Sequence, residues 1–291
     1  MITTPFTWIS SVEVIAQVGA TPVFVDINKI FYTIDTDLIE SAITSKTKAI
    51  IAVSLFGQLP DIYIINKIAA KYGIIVIEDG AQSFGATING KKSCGVSTIG
   101  STSFFPAKPL GCFGDGGALF TNNDELALIM KSIRLHGGIN RHEHTHIGMN
   151  GRFDTLQAAV ILRKWSIFEN EIEQRKLIGD RYTALLLNNN ISVPKVLEGN
   201  THVYAQYIIR VDPSKRDSII HVLKLEGIPS AIYYPKCVHE QPTFNYLGYK
   251  CSDFPKSEKA SREVLSLPMH PFLSIKDQDL IIHLLKKLEL N

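Results

Sequence analysis

Residues Ser101–Asn122 read STSFFPAKPLGCFGDGGALFTN and set one lysine, Lys108, close behind Pro106 and directly before Pro109. Prolines remove backbone donors, fix φ and bias the residues before them, here Phe105 and Lys108, toward extended geometry. Lys108 is therefore expected on a stiff, non-helical turn. Glycines at 111, 114, 116 and 117 follow, and they let the backbone take positive φ or approach another group closely. A solvated lysine on a surface loop accounts for this pattern. So does a lysine held in place to form a Schiff base, and the remainder of the chain decides between the two.

Outward from that stretch, the first ~120 residues alternate strand and helix. A helix is expected over Trp8–Val18, capped by Thr7 and stopped by Gly19, followed by a strand over 22–26 and a short helix near Asp37–Ile43. Further strands are expected at 49–54, 74–77 and 118–121, with a helix from the cap Asp61 to Tyr72 between the first two. Their apolar runs are continuous, which implies strands covered on both faces, and strand–helix alternation argues for a mainly parallel sheet with right-handed crossovers. A helix is expected over 123–135, then a polar loop over 138–151, then a helical stretch from Asp154 to about Asn188. That length exceeds the usual ~11–12 residues, so a break is expected near Trp165–Asn170, leading into a second domain. The C-terminal part reads as a small α+β unit: strands at 204–211 and 229–234, helices at 213–226, 256–265 and 276–289. The expected domains are 1–170 and 171–291.

Composition narrows the function classes. The chain has 291 residues and a formal net charge of +2, with no basic arm for nucleic acid and no acidic tail. No apolar run approaches the ~20 residues that span a bilayer, and Glu13 interrupts the apolar part of the start, so no signal peptide is expected. The four cysteines, at 94, 112, 237 and 251, show no CxxC pairing, which favours reduced thiols in the cytoplasm.

Three features bear on chemistry. Asp79 ends a strand expected to be buried, at the sheet edge where ligands of open α/β sheets collect. A helix cap or a local salt bridge accounts for such an acid as well. Gln82 follows three residues on, and Ser101, Thr102 and Ser103 lead into the Lys108 turn as possible hydroxyl donors to an anion. An acid to keep a ring nitrogen protonated, hydroxyls for a phosphate and a constrained amine are together what pyridoxal 5′-phosphate requires.

The segments IEDGAQSFG (77–85), STSFFPAKPLG (101–111) and GDGGALFTN (114–122) resemble the DegT/StrS family of sugar aminotransferases, of the aspartate aminotransferase fold type I. The resemblance runs on through TPFTW (4–8), TKAII (47–51), VSLFGQ (53–58), GMNGRFDTLQAA (148–159) and LPMHP (267–271), and so spans essentially the whole chain. The wording around Lys108 resembles most the branch acting on UDP-2-acetamido-2-deoxy-3-oxo-glucuronate in bacterial surface-glycan synthesis. The resemblance implies an α/β large domain with a mainly parallel sheet and a small C-terminal α+β domain. It implies that Lys108 is the Schiff-base lysine and the proton carrier, that Asp79 pairs with the pyridinium nitrogen, and that Gln82 contacts the ring hydroxyl side. It further implies that Ser103 binds the phosphate, Trp8 stacks on the ring, Asn150 reaches the phosphate of a neighbouring subunit's site, and Arg152 faces substrate. A homodimer with shared active sites is implied, with glutamate as amino donor and a keto-sugar nucleotide as acceptor. Relative to the family pattern Met1 falls at an interior strand, so a preceding phosphate-cradling loop is expected to be missing and cofactor binding to be weakened.

Other candidates weigh less. His142, His144 and His146 alternate but have no matched acid or cysteine, so no metal site is expected. Gly111–Gly117 opens a strand and not a helix, unlike a dinucleotide fingerprint. His270 reads as a structural histidine, or as one lining the substrate pocket; Tyr233 and Tyr234 read as packing or substrate-facing. Beside the aminotransferase stand a sugar dehydratase of the same family, which carries histidine in place of the lysine, and a non-catalytic remnant. The presence of Lys108 argues against the dehydratase.

Overall fold

The computed structural model of the protein describes residues 1–187 and 191–289. The chain runs β1 (Ile2–Thr3), α1 (Ser10–Gln17), β2 (Val23–Phe24), α2 (Thr36–Ile39), β3 (Ala49–Val53), α3 (Ile62–Lys71) and β4 (Ile75–Asp79). A small hairpin of β5 (Thr87–Ile88) and β6 (Lys91–Lys92) precedes β7 (Ile99–Ser103), β8 (Gly117–Phe120) and α4 (Asp124–Arg134). β9 (Gly138–Asn140) and β10 (Glu143–His144) lead to the long α5 (Thr155–Leu186). The remainder is β11 (Tyr207–Arg210), α6 (Pro213–Leu225), α7 (Pro255–Glu263), β12 (Val264–Leu267) and α8 (Ile275–Glu289).

The main sheet has the order β2-β1-β3-β4-β7-β8, parallel except for the antiparallel edge strand β8. All five residues of β3 are buried, as continuous apolar strands require when both faces are covered. Alternation splits β3 between two cores. Ile50 and Ala52 join Ile62, Ile65 and Ala69 of α3, while Ile51 and Val53 join Phe6, Ile15, Tyr234 and Val264. β11 and β12 pair antiparallel beneath α6 and α8, around Tyr182, Tyr207, Leu223 and Leu285.

The strand order turns at one place. From β1 the chain moves through α1 to β2, and from β3 it moves the opposite way through α3 to β4. Connections leaving neighbouring strands in opposite directions open a crevice at their C-terminal ends, where ligands of open sheets bind. The register Val53↔Asp79↔Ser101 aligns the ends of β3, β4 and β7 on that crevice.

Several expectations are corrected. α1 begins at Ser10 behind Ile9, which offers no side-chain cap; the Thr7 hydroxyl instead lies 3.2 Å from Ser11 Oγ. The break near Trp165–Asn170 is absent, because α5 contains no proline and its one glycine, Gly179, lies well beyond that point. Gly179 is there for space: a Cβ would stand 2.5 Å from the Tyr204 ring. The expected end of this helix, at about Asn188, lies outside the described residues. The expected strand at 229–234 reduces to one bridge, Ala231↔Ser266, and β11 pairs instead with β12, part of which falls in the helix expected over 256–265. The polar loop at 138–151 contains the short β9–β10 pair.

Candidate active site

Three elements converge at the crevice. Residues 4–11 leave β1 and enter α1, residues 79–82 form the end of β4 and the turn behind it, and the Lys108 turn follows β7. Alternation along β4 sends Glu78 and Asp79 to opposite faces. Glu78 is fully buried and accepts hydrogen bonds from Ser54 Oγ (2.9 Å), Ser93 Oγ (2.6 Å) and Cys94 N (2.8 Å). Asp79 faces the crevice, where Oδ2 accepts from Ser11 Oγ at 2.6 Å and Oδ1 from Ala81 N at 3.1 Å.

Lys108 is half-buried on a turn closed by its own N–H on Phe105 O (2.9 Å). Burial holds its ammonium below the ordinary lysine value, and the nearby Asp79 carboxylate acts in the opposite direction. A lowered value enlarges the fraction present as free amine, the nucleophilic form. The turn is clamped from α5: Lys164 Nζ donates to Gly111 O at 2.6 Å, and Phe113 N donates to Gln157 Oε1 at 2.8 Å. Gly111 is required here, since a Cβ would stand 2.6 Å from Pro106 O and 2.7 Å from Phe105 O. Gly111→Ala is therefore expected to push the turn outward and weaken cofactor binding about tenfold, the effect of ~1–2 kcal/mol of overpacking. Titrating the cofactor by its absorbance checks this, and unchanged affinity would refute it.

Gln82 is buried and fully oriented: Oε1 accepts from Phe56 N at 2.7 Å and Nε2 donates to Tyr234 Oη at 2.9 Å. Burial pushes the Tyr234 phenol well above its ordinary value, the Gln82 hydrogen bond opposing and the Asp79 charge adding to it. The Tyr234 ring lies 5.9 Å from that of Trp8, which is 58 % exposed over the crevice. Tyr234 thus ties the C-terminal part of the chain to the site, a role its sequence context did not separate from packing.

Asp79, Gln82 and Trp8 are thereby linked through Ser11 and Tyr234, and Lys108 lies close enough for the Asp79 charge to act on it. Ser103 ends β7, five residues before Lys108, and its Oγ accepts from Phe105 N at 3.2 Å. The hydroxyls of Ser101 and Thr102 are instead spent tying β7 to β4, on Glu78 O and Gly80 O. Asn150 bridges to Leu135, and it and Arg152 are exposed. His270 is exposed, with its Nδ1 accepting from Phe272 N; burial first, and then Arg175, holds its imidazole below the ordinary value, with Asp277 opposing. Among the described residues Asn150, Arg152 and His270 form no hydrogen bond or ion pair with Lys108, Asp79 or Gln82. Sequence reasoning missed Ser11, although Thr7 and Ser11 stand four apart across a helix start, a spacing that places two side chains together.

The donor set fits pyridoxal phosphate: a carboxylate with two fixed oxygens, an amine with a lowered proton affinity, an exposed indole face and a hydroxyl at a strand end. The whole chain, moreover, matches known proteins. The DegT/DnrJ/EryC1/StrS aminotransferase family matches residues 1–286. The chain belongs to that family. It is a pyridoxal-phosphate-dependent transaminase on the aminotransferase α/β fold. It is 49 % identical over 273 residues to a UDP-2-acetamido-2-deoxy-3-oxo-D-glucuronate aminotransferase of Pseudomonas aeruginosa, covering 94 % of this chain and 75 % of the relative. A crystal structure of a DegT/DnrJ/EryC1/StrS aminotransferase from Brucella abortus superposes with a TM-score of 0.95 at 41 % identity, over 100 % of this chain and 79 % of that one. NtdA from Bacillus subtilis, solved with bound cofactor PMP, superposes with a TM-score of 0.91 at 31 % identity, over 100 % of this chain and 67 % of that one. Among the described residues no helix of this family member is long and apolar enough to cross a membrane.

Proposed function

We propose that this aminotransferase moves an amino group from glutamate to a keto-sugar nucleotide, with UDP-2-acetamido-2-deoxy-3-oxo-glucuronate as acceptor, in bacterial surface-polysaccharide synthesis. What supports the reading is a half-buried Lys108 that feels the Asp79 charge, and an Asp79 tied through Ser11 to the segment that carries Trp8, in a chain 49 % identical over 273 residues to the Pseudomonas aeruginosa enzyme of that name. Glutamate gives up its amino group and takes an oxygen from water to become 2-oxoglutarate, and the amino group replaces the carbonyl oxygen of the sugar, which leaves as water. The cofactor supplies the electron sink that makes the proton beside nitrogen acidic.

The chain's own residues then divide the work. Lys108 would supply the amine that links to the cofactor and would carry the proton between carbons. Asp79 would hold the ring nitrogen, Gln82 the ring hydroxyl side and Ser103 the phosphate, and Trp8 would cover one ring face. Arg152 and His270 bind substrate, and Asn150 reaches the phosphate of a partner subunit's site. A homodimer is part of this reading. Its support is the large apolar side chains left exposed on the Lys108 turn and the first half of α5, Phe113, Leu156 and Leu162 among them. Residues 1–170 form the cofactor-binding part and 171–291 the smaller one.

Purified protein supplied with glutamate and the UDP-linked 3-keto acid is expected to yield one 2-oxoglutarate per aminated sugar, followed by mass spectrometry. Turnover with a dTDP-linked keto sugar alone would overturn the acceptor and leave the transaminase chemistry standing.

A further inference from the structure

We infer that Ser11, backed by Thr7, is a positioning residue that holds the Asp79 carboxylate at the angle from which it meets the cofactor's ring nitrogen. The inference rests on the role proposed for Asp79 and adds what fixes that side chain.

Ser11 is the second residue of α1, and both it and Thr7 are almost wholly buried. Its hydroxyl stands 2.6 Å from Asp79 Oδ2, within the short range of a charge-assisted O–H···O bond. An ionised carboxylate only accepts, so the single Ser11 proton is committed to Asp79. The 3.2 Å contact between Thr7 Oγ1 and Ser11 Oγ must then have Thr7 as donor. Both hydroxyl protons point toward the carboxylate, an arrangement in which each bond polarises the next. The other oxygen is held independently, by Ala81 N at 3.1 Å. Two donors from two separate elements thus fix the plane of a side chain whose terminal torsion is otherwise broad.

The placement also couples two parts of the site. Ser11 N donates to Trp8 O at 3.3 Å, so the segment that sets the indole over the crevice also sets the carboxylate. Movement of α1 would carry the ring face and the ring-nitrogen partner together. Nothing about Ser11 requires contact with the cofactor or substrate; it acts through Asp79.

The test compares holoenzyme of Ser11→Ala, Ser11→Thr and Thr7→Val with the unmodified protein, using Asp79→Asn as reference. Cofactor affinity and the pH midpoint of the bound cofactor's near-visible band are measured, with apo-protein melting as a folding control. Ser11→Ala is expected to weaken cofactor binding about tenfold, the scale of one hydrogen bond to a charged group, and to displace the midpoint. Ser11→Thr keeps the hydroxyl and is expected to stay close to the unmodified protein. Thr7→Val shifts both readouts the same way by a smaller factor. In the Asp79→Asn background Ser11→Ala is expected to add less than a twofold change. Unmodified affinity and midpoint in Ser11→Ala, alongside altered values in Asp79→Asn, would overturn the inference about Ser11 alone. An Asp79→Asn protein indistinguishable from the original would overturn the role of Asp79 and the inference with it.

Discussion

Lys108→Ala is expected to lower the rate of amino transfer by at least ~10⁴-fold, the upper range for removing a proton-transferring group, because the same substitution also removes the covalent link. Stability is expected to be nearly unchanged. The Lys108 ammonium has no hydrogen-bond or ion-pair partner among the described residues, and the turn is closed by its backbone N–H on Phe105 O, which alanine retains. The change also relieves the cost of a half-buried cation, the cause of its lowered proton affinity. Lys108→Arg separates charge from chemistry. Arginine restores the positive charge beside Asp79 but does not lose its proton near neutral pH, so it is expected to be as inactive as alanine. Single-turnover mixing with glutamate checks both variants. Turnover of either within tenfold of the unmodified protein would remove Lys108 from the mechanism.

What the sequence disclosed, and what it withheld, follows from the range of the interactions. Pro106, Pro109 and the glycines act on neighbouring backbone, so the Lys108 turn was legible before any tertiary structure. So was the parallel sheet, since strands such as Ala49–Val53 carry their double burial in composition. The helix over Thr155–Leu186 was legible, but not its continuity: the expected break rests on average length, and nothing in the local chemistry breaks a helix near Trp165. β12 was hidden because four residues, Val264–Leu267, follow α7 without a turn signal, and only pairing with β11 defines them. The Ser11–Asp79 and Gln82–Tyr234 bonds join residues 68 and 152 apart. No local pattern encodes a contact at that distance. Glu78 was visible as a residue but silent as to role, because adjacent acids on a strand look alike until the sheet assigns their faces.

That assignment makes Glu78 a site where a large loss of stability is expected. Glu78→Ala strands the buried hydroxyl of Ser54 and the N–H of Cys94, removes one partner of Ser93 Oγ, which keeps Ser83 Oγ at 2.7 Å, and opens a cavity under the crevice. The expected cost is ~3–5 kcal/mol, as for breaking other buried charged networks, which lowers the melting temperature by roughly 6–15 °C. Glu78→Gln should be milder. Turning its oxygen to Cys94 N leaves its NH₂ to donate to the two hydroxyls, which accept as readily as they donate. The two variants also differ from the unmodified protein with pH. Burial, outweighing the three hydrogen bonds, raises the Glu78 carboxyl above the ordinary glutamate value, and the Asp79 charge adds to it. Between the ordinary and the raised value the unfolded chain has lost this proton while the folded chain keeps it. The folded state then binds more protons, so the stability contributed by Glu78 falls as pH rises through that window and is level above it. The stability difference between unmodified protein and Glu78→Gln is therefore expected to shrink from acid toward neutral pH, read by denaturant melts at each pH. A difference that grew instead would mean the carboxylate is stabilised on folding by its donors more than it is penalised by burial.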